Sequence, residues 1–286
     1  MINVSVIIPA ERSNENLKRC LKDLKKQTYK GFEVITVLDK FSGSPAEKRN
    51  WGAKKAKGEF LAFIDDDCFV EKDWLTNGVK IFSKDVCAVC GPMLTPENSP
   101  FWERVSGYLW ESPLINPIRA NKYVEDWPSA NFFIRKRDFE KLGGFDSRFW
   151  PGEDTKLCLD IVAKLKKKIV YDSNVVVYHR RRPLFKKYLE QVARYGRQRG
   201  RFARLFPETS RKWQYFVPSL FLIYIITALF YNRLLYLMPV YITLLIIEGI
   251  RAMVKDKNVL TGVAFILGAF MTHIVYGVSF LRGLLL

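Results

Sequence analysis

Three stretches of this 286-residue chain carry no charged side chain: 215–231, 234–247 and 259–281, which run for 17, 14 and 23 residues. A helix that crosses the hydrocarbon core of a bilayer needs about 20 mostly apolar residues, within a range of about 17 to 25. The third stretch is long enough alone and the other two are with their flanks, so the sequence predicts three transmembrane helices within 213–286. A chain of this length divides into one large domain and an appendage more readily than into two equal domains.

The charge follows the same division. Of the formal net charge of +17, a net +10 falls in 180–212, where 12 Lys or Arg face only Glu190 and Glu208. In a soluble protein such a run suggests nucleic acid. Beside membrane helices it suits anionic lipid head groups or a lipid phosphate, and no nucleic-acid partner is expected. Leu184, Tyr188, Val192 and Tyr195 recur on one helical face, with Lys186, Lys187, Arg194 and Arg197 off it. That is the pattern of a helix in the membrane interface, although a soluble surface helix shares it. Gly196 and Gly200 are expected to break this helix into two pieces. The loop 251–258 carries Arg251, Lys255 and Lys257, against Arg233 in the other turn. The positive-inside rule therefore predicts a multi-pass protein of the cell membrane with its large domain on the cytoplasmic side. The apolar run 2–8 is too short for a signal peptide and lacks a basic start. Snorkelling accounts for Glu248 and interhelical hydrogen bonding for His273, so neither is assigned to catalysis. Cys87 and Cys90 form a Cys-x-x-Cys in an apolar run with no second pair, which favours packing over zinc or redox chemistry.

In the first part of the chain, apolar strands alternate with helical patterns. Residues 3–9 read as a strand, 14–27 as an amphipathic helix on Leu17, Cys20, Leu21 and Leu24, and 32–38 as the next strand. Ser44 and Pro45 open a helix that runs to Lys57, and the apolar run 60–64 follows, short enough for a strand buried on both faces. Such alternation predicts βαβ units and parallel strands.

The strand 60–64 ends in Asp65, Asp66 and Asp67. Ligands of open α/β sheets bind outside the strands' carboxyl ends, and carboxylates gathered there repel unless a hard cation such as Mg2+ or Mn2+ sits between them. A diphosphate is the natural third party; acids that merely solvate a strand end are the plainer alternative. Asp39 closes the preceding strand and reaches the same crevice, or serves as a turn acid. His179 ends the strand 175–178, either as a nitrogen ligand to the metal or as polar surface. Trp150, Pro151 and Gly152 make a turn, after which Glu153 and Asp154 stand in the first turn of a helix marked by Leu157, Ile161 and Leu165. Acids there complement the helix dipole, and two adjacent acids after a Gly turn also suit a general base. No elements are assigned in 92–128.

Together these residues resemble glycosyltransferase family 2, in its membrane-bound, cellulose-synthase-like branch, over roughly residues 1–195. Ser5-Val6-Ile7-Ile8-Pro9-Ala10 resembles the family's opening strand and base-binding loop, with Glu11-Arg12 in place of the usual Tyr-Asn. Asp39 matches the first family aspartate, and Arg49-Asn50-Trp51-Gly52 resembles the Arg-Asn-x-Gly helix before the central strand. Asp65-Asp66-Asp67 matches Asp-x-Asp, Gly152-Glu153-Asp154 resembles Thr-Glu-Asp, and Gln191-Val192-Ala193-Arg194-Tyr195 resembles Gln-x-x-Arg-Trp.

The resemblance implies a GT-A fold, a Rossmann-like and mostly parallel α/β sheet, over 1–182, then amphipathic interface helices over 183–212 and the membrane helices over 213–286. It implies inverting transfer of a hexose from a nucleotide sugar, with Mn2+ or Mg2+ on Asp67 and Asp154 as the base. Pro9, Ala10, Glu11, Asp39, Arg49, Asp65 and Asp66 fall on the donor side, and Glu153, Gln191, Arg194 and Tyr195 on the acceptor side. By similarity to small archaeal membrane mannosyltransferases, the expected donor is GDP-mannose, with UDP-hexoses next. The expected acceptor is a lipid-linked saccharide or a polyprenyl or dolichyl phosphate, as in glycan assembly. A processive polysaccharide synthase and a non-catalytic membrane-anchoring, nucleotide-binding subunit are the alternatives.

Overall fold

The computed structural model describes residues 2–38, 43–116 and 122–286. They fall into two compact units, Met1–Leu94 with Asn121–Arg180, and Thr95–Ala120 with Arg181–Leu286. The segment 95–116 precedes part of the first unit in sequence but packs with the second.

The chain lays down β1 (Val4–Pro9), α1 (Glu15–Lys25), β2 (Phe32–Val37), α2 (Pro45–Lys55), β3 (Phe60–Ile64) and β4 (Cys68–Val70). Next come α3 (Trp74–Val79), β5 (Val86–Cys90) and β6 (Met93–Leu94), and then α4 (Phe101–Glu111), which is part of the second unit. The first unit resumes with β7 (Tyr123–Val124), β8 (Asn131–Arg135), α5 (Lys136–Lys141), α6 (Glu153–Ala163), β9 (Lys168–Tyr171) and β10 (Val177–His179).

Its main sheet has the order β2-β1-β3-β8-β5-β9-β7. β1 is parallel to β2 and β3, and β5 to β9, while β8 and β7 run against their neighbours. Five strands therefore share one direction, the mostly parallel α/β sheet that the alternation predicts. β3 is buried along its whole length, which is why it is apolar on both faces. Phe60, Ala62 and Ile64 pack with α1 and α3, and Leu61 and Phe63 with α2, α5 and α6. Local signals hold the helices in place. The Ser44 hydroxyl accepts from the Glu47 N–H at 3.3 Å, and the Glu47 carboxylate accepts from the Ser44 N–H at 2.7 Å, a reciprocal cap ahead of Pro45. A second, small sheet has the order β4-β10-β6, with β10 antiparallel to β4 so that His179 lies opposite Cys68. All five cysteines are free and buried, as packing residues should be.

The second unit is helical: α4, α7 (Lys186–Leu205), α8 (Pro207–Ser210), α9 (Trp213–Phe230), α10 (Met238–Asp256) and α11 (Val259–Leu285). Three of its helices, α9, α10 with the turn before it, and α11, are long and apolar enough to cross a membrane. One expectation is corrected here: α7 is a single helix of 20 residues, and Gly196 and Gly200 do not break it. A Cβ on Gly196 would crowd the Tyr276 carbonyl, one on Gly200 would strike that of Phe280, and one on Gly283 that of Arg197. These glycines let two backbones touch, and the packing outweighs their helix-propensity cost. Polar groups join α4 to α10: Arg104 and the Tyr108 hydroxyl donate to Asp256, and Ser112 donates to Glu248, which also pairs with Arg251. His273 bonds the Tyr241 hydroxyl at 2.8 Å and the Leu114 carbonyl at 3.2 Å.

Candidate active site

Among the described residues, sheet topology brings several of the predicted residues of the first unit to one edge. β1 and β3 end there, and antiparallel β8 begins there, with Ile64 opposite Asn131. Ala10, the aspartates after Ile64 and Ser129 just before β8 therefore share that edge.

After Asp65, Asp66 and Asp67 the chain turns into β4, whose first residue pairs with His179. This register brings the His179 Nε2 to 3.5 Å from Asp67 Oδ1. Asp67 Oδ1 also lies 3.9 Å from Cys68 Sγ, and one ligand atom each from Asp67, Cys68 and His179 lie within 4.8 Å of one another. Burial raises the Asp67 carboxyl above its ordinary range, His179 works against that, and Asp65 adds to it. Burial and then Asp67 raise Asp66, which accepts from Asn14 Nδ2 at 3.4 Å. His179 Nδ1 is buried without a hydrogen-bond partner. A carboxylate and an imidazole that converge among repelling acids fit a divalent cation, so the residues present suit Mn2+ or Mg2+.

Arg49 on α2 ties this cluster to the start of α6. Its Nη2 donates to Asp65 at 2.7 Å and its Nη1 to Glu153 at 3.0 Å, with the Arg49 and Glu153 side chains both buried. Glu153 also accepts from the Gly152 N–H at 3.0 Å. Both of its oxygens thus serve partners inside the protein. Next to Arg49, Asn50 exchanges two hydrogen bonds with the Phe145 backbone, at 2.7 and 2.8 Å, and a Cβ at Gly52 would meet Ile7 at 2.6 Å. The Arg-Asn-x-Gly stretch therefore clamps α2 to β1, to the strand-end acids and to the approach to α6.

Asp154 differs from its neighbour. One oxygen accepts from the Thr155 N–H at 2.8 Å and the other from the Ser129 N–H at 3.4 Å. Its carboxyl is pushed up to about 7 by burial first, then by Glu153 and Asp126, against the Thr155 N–H and Arg49. A carboxyl near neutrality is matched to proton transfer at physiological pH.

Of the other expected residues, Pro9 and Ala10 are buried at the end of β1 and Glu11 is exposed; Asp39 lies outside the described residues. Gln191, Arg194 and Tyr195 are on α7 in the second unit. There Gln191 donates to the Tyr195 hydroxyl at 3.1 Å, Tyr195 meets Trp110 edge-on with ring centres 5.7 Å apart, and Arg194 is exposed. Three participants escaped the sequence reading. Lys48 is buried and donates to the Ala10 carbonyl at 3.1 Å, signalled only by its place beside Arg49. Cys68 lies next to the aspartates yet reads as a core residue. Asp126, whose charge raises Asp154, sits in the stretch where no elements were assigned.

A model described as "Glycosyltransferase like family 2" matches residues 2–218. The O-antigen biosynthesis protein RfbC of Myxococcus xanthus is 27% identical over 62% of this chain, which spans 17% of that protein's length. A dolichyl N-acetyl-alpha-D-glucosaminyl phosphate 3-beta-D-2,3-diacetamido-2,3-dideoxy-beta-D-glucuronosyltransferase of Methanococcus voltae is 21% identical over 99% of this chain and 88% of its own. Among solved structures, the mannosyltransferase PcManGT of Pyrobaculum calidifontis, in complex with GDP-Man and Mn2+, superposes with a TM-score of 0.58 at 16% identity. That match covers 99% of this chain and 87% of the other.

Proposed function

The chain belongs to glycosyltransferase-like family 2 with a GT-A fold, and from that premise we propose that it transfers a hexose from a nucleotide sugar to a lipid-linked acceptor with inversion. The observation that carries the proposal is the pairing of a cation seat with a buried carboxyl near neutrality at one edge of the sheet. Mannose from GDP-mannose is the first donor to test, because PcManGT holds that donor with Mn2+. The relative named for a dolichyl phosphate substrate and the basic run 180–212 support this acceptor class.

Asp67 and His179 are the residues that would hold the divalent ion. When bound, that ion offsets the charge that develops on the departing diphosphate. Arg49 pairs directly with Glu153, whereas Asp154 is held by the Thr155 and Ser129 N–H groups. Asp154 takes the proton from the acceptor hydroxyl as that oxygen attacks the anomeric carbon from the face opposite the leaving group. Ala10 and Lys48 bracket the donor's side of the edge, while Gln191, Arg194 and Tyr195 on α7 meet the acceptor at the membrane. The basic run 180–212 and the basic loop 251–258 suit the anionic cytoplasmic leaflet, which supports a cytoplasmic placement of the first unit.

The test is a screen of nucleotide sugars for release of nucleoside diphosphate by the full chain in detergent. Turnover with one donor, dependent on Mn2+ or Mg2+ and abolished together with metal-dependent donor binding in Asp67→Asn, is the expected result. Metal-dependent binding that survives Asp67→Asn would remove Asp67 from the seat.

A further inference from the structure

Within the second unit, α7 lies lengthwise against α11, and both run in the same direction. Leu184 meets Gly268, the Tyr188 hydroxyl bonds Thr272 at 3.2 Å, Gly196 abuts Tyr276, and Gly200 abuts Phe280. On α7 the contact runs from the first residue of the helix to Gly200, fifteen residues, roughly 22 Å at about 1.5 Å per residue and most of the thickness of a hydrocarbon core of about 30 Å. Over that length the outer face of α7 exposes Lys186, Lys187, Glu190, Arg194 and Arg197.

α11 itself has two opposite faces. Val263, Leu267, Phe270, Met271, Val278 and Leu285 are exposed and form one apolar stripe. Gly268, Thr272, Tyr276 and Phe280 form the i, i+4 row that faces α7, on the far side of the helix from that stripe. The layers therefore run from charged side chains through α7 and α11 to exposed apolar side chains. If α11 stood upright across a bilayer, α7 would carry its five exposed charges through the hydrocarbon core, where each is heavily disfavoured.

We propose that α11, although long and apolar enough to span, lies along the membrane surface with its apolar stripe in the acyl chains and α7 on the water side. α10 runs antiparallel beside its first half, with Tyr241 at His273 and Gly249 at Gly262, and lies in the same layer. The occupant of the stripe is lipid: the basic face of α7 then sits at the level of anionic head groups, the charge arrangement of an interfacial helix. Both ends of α11 stay on one side of the bilayer. The inference does not depend on the catalytic reading, since it uses only the second unit.

Single cysteines at Lys257 and Leu286, on either side of α11, test it, because the native cysteines are all buried. In sealed vesicles of both orientations, a membrane-impermeant maleimide should label Lys257→Cys and Leu286→Cys from the same side. Spin labels in place of Leu267, Phe270 and Val278 should report one common depth. Labelling from opposite sides, or depths that change steadily along the helix, would overturn the proposal and show instead that the charged face of α7 lines a water-filled passage.

Discussion

The acids after β3 and the acids opening α6 occupy the same edge of one sheet, yet the protein treats them differently. Asp65, Asp66 and Asp67 are left half exposed and close enough to repel, with His179 brought in by the β4–β10 register. Glu153 and Asp154 are adjacent in sequence, but Arg49 bonds Glu153, while Asp154 is held by N–H groups and shifted to about 7. The first group suits a bound cation, and the second suits a moving proton. What separates them is the placement of one guanidinium, which serves Asp65 on one side and Glu153 on the other.

Removing the proton acceptor should have the largest effect. Asp154→Asn keeps the shape and the bond to the Thr155 N–H, so donor affinity should persist while transfer falls by about 10² to 10⁴-fold, measured by calorimetry alongside steady-state rates. Stability should move the other way. A carboxyl whose folded value lies above its unfolded one stabilises the fold fully only below its unfolded value, about 3.9, and loses that contribution as pH rises through the folded value, about 7 here. The melting temperature of Asp154→Asn relative to wild type should therefore be higher at pH 8 than at pH 5.

Removing the shared guanidinium should erase the contrast. Arg49→Ala leaves Glu153 buried without its partner, and breaking such a pair costs about 3–5 kcal/mol, visible as a lowered denaturation midpoint. A smaller change confined to the strand-end cluster is Asn14→Ala. It removes the cap of α1, whose Oδ1 accepts from the Leu17 N–H at 2.9 Å, together with the contact to Asp66. The expected cost is about 1 kcal/mol of stability, with a weakened Mn2+ affinity and no change in the acid limb set by Asp154.

Much of this was legible in the chain. The run 60–64 ending in three aspartates, the Ser44-Pro45 helix start and the Gly152 turn before Glu153 and Asp154 are local signals, and local signals fix elements. Pairings between distant segments were not legible. Nothing near Arg49 indicates that it will bond both Asp65 and Glu153, and nothing near Cys68 indicates that it will face His179, because both depend on how sheet edges meet. Gly196 and Gly200 misled for a related reason: their helix-breaking tendency is intrinsic, whereas their use against α11 is tertiary. Residues 101–111 have no element assigned from the sequence, and their polar partners, Asp256 among them, lie far along the chain.

The central claim is that Asp154 is the base and that Glu153, together with burial, sets its working range. The direct measurement is the pH dependence of kcat/KM for the acceptor in wild type and in Glu153→Gln, where Gln still accepts from Arg49. The account predicts a rate that rises through about pH 7 in wild type and levels off above it. In Glu153→Gln the limb should move to lower pH, because a neighbouring negative charge is gone. A profile without an acid limb at this pH, or a limb that Glu153→Gln leaves in place, would contradict it.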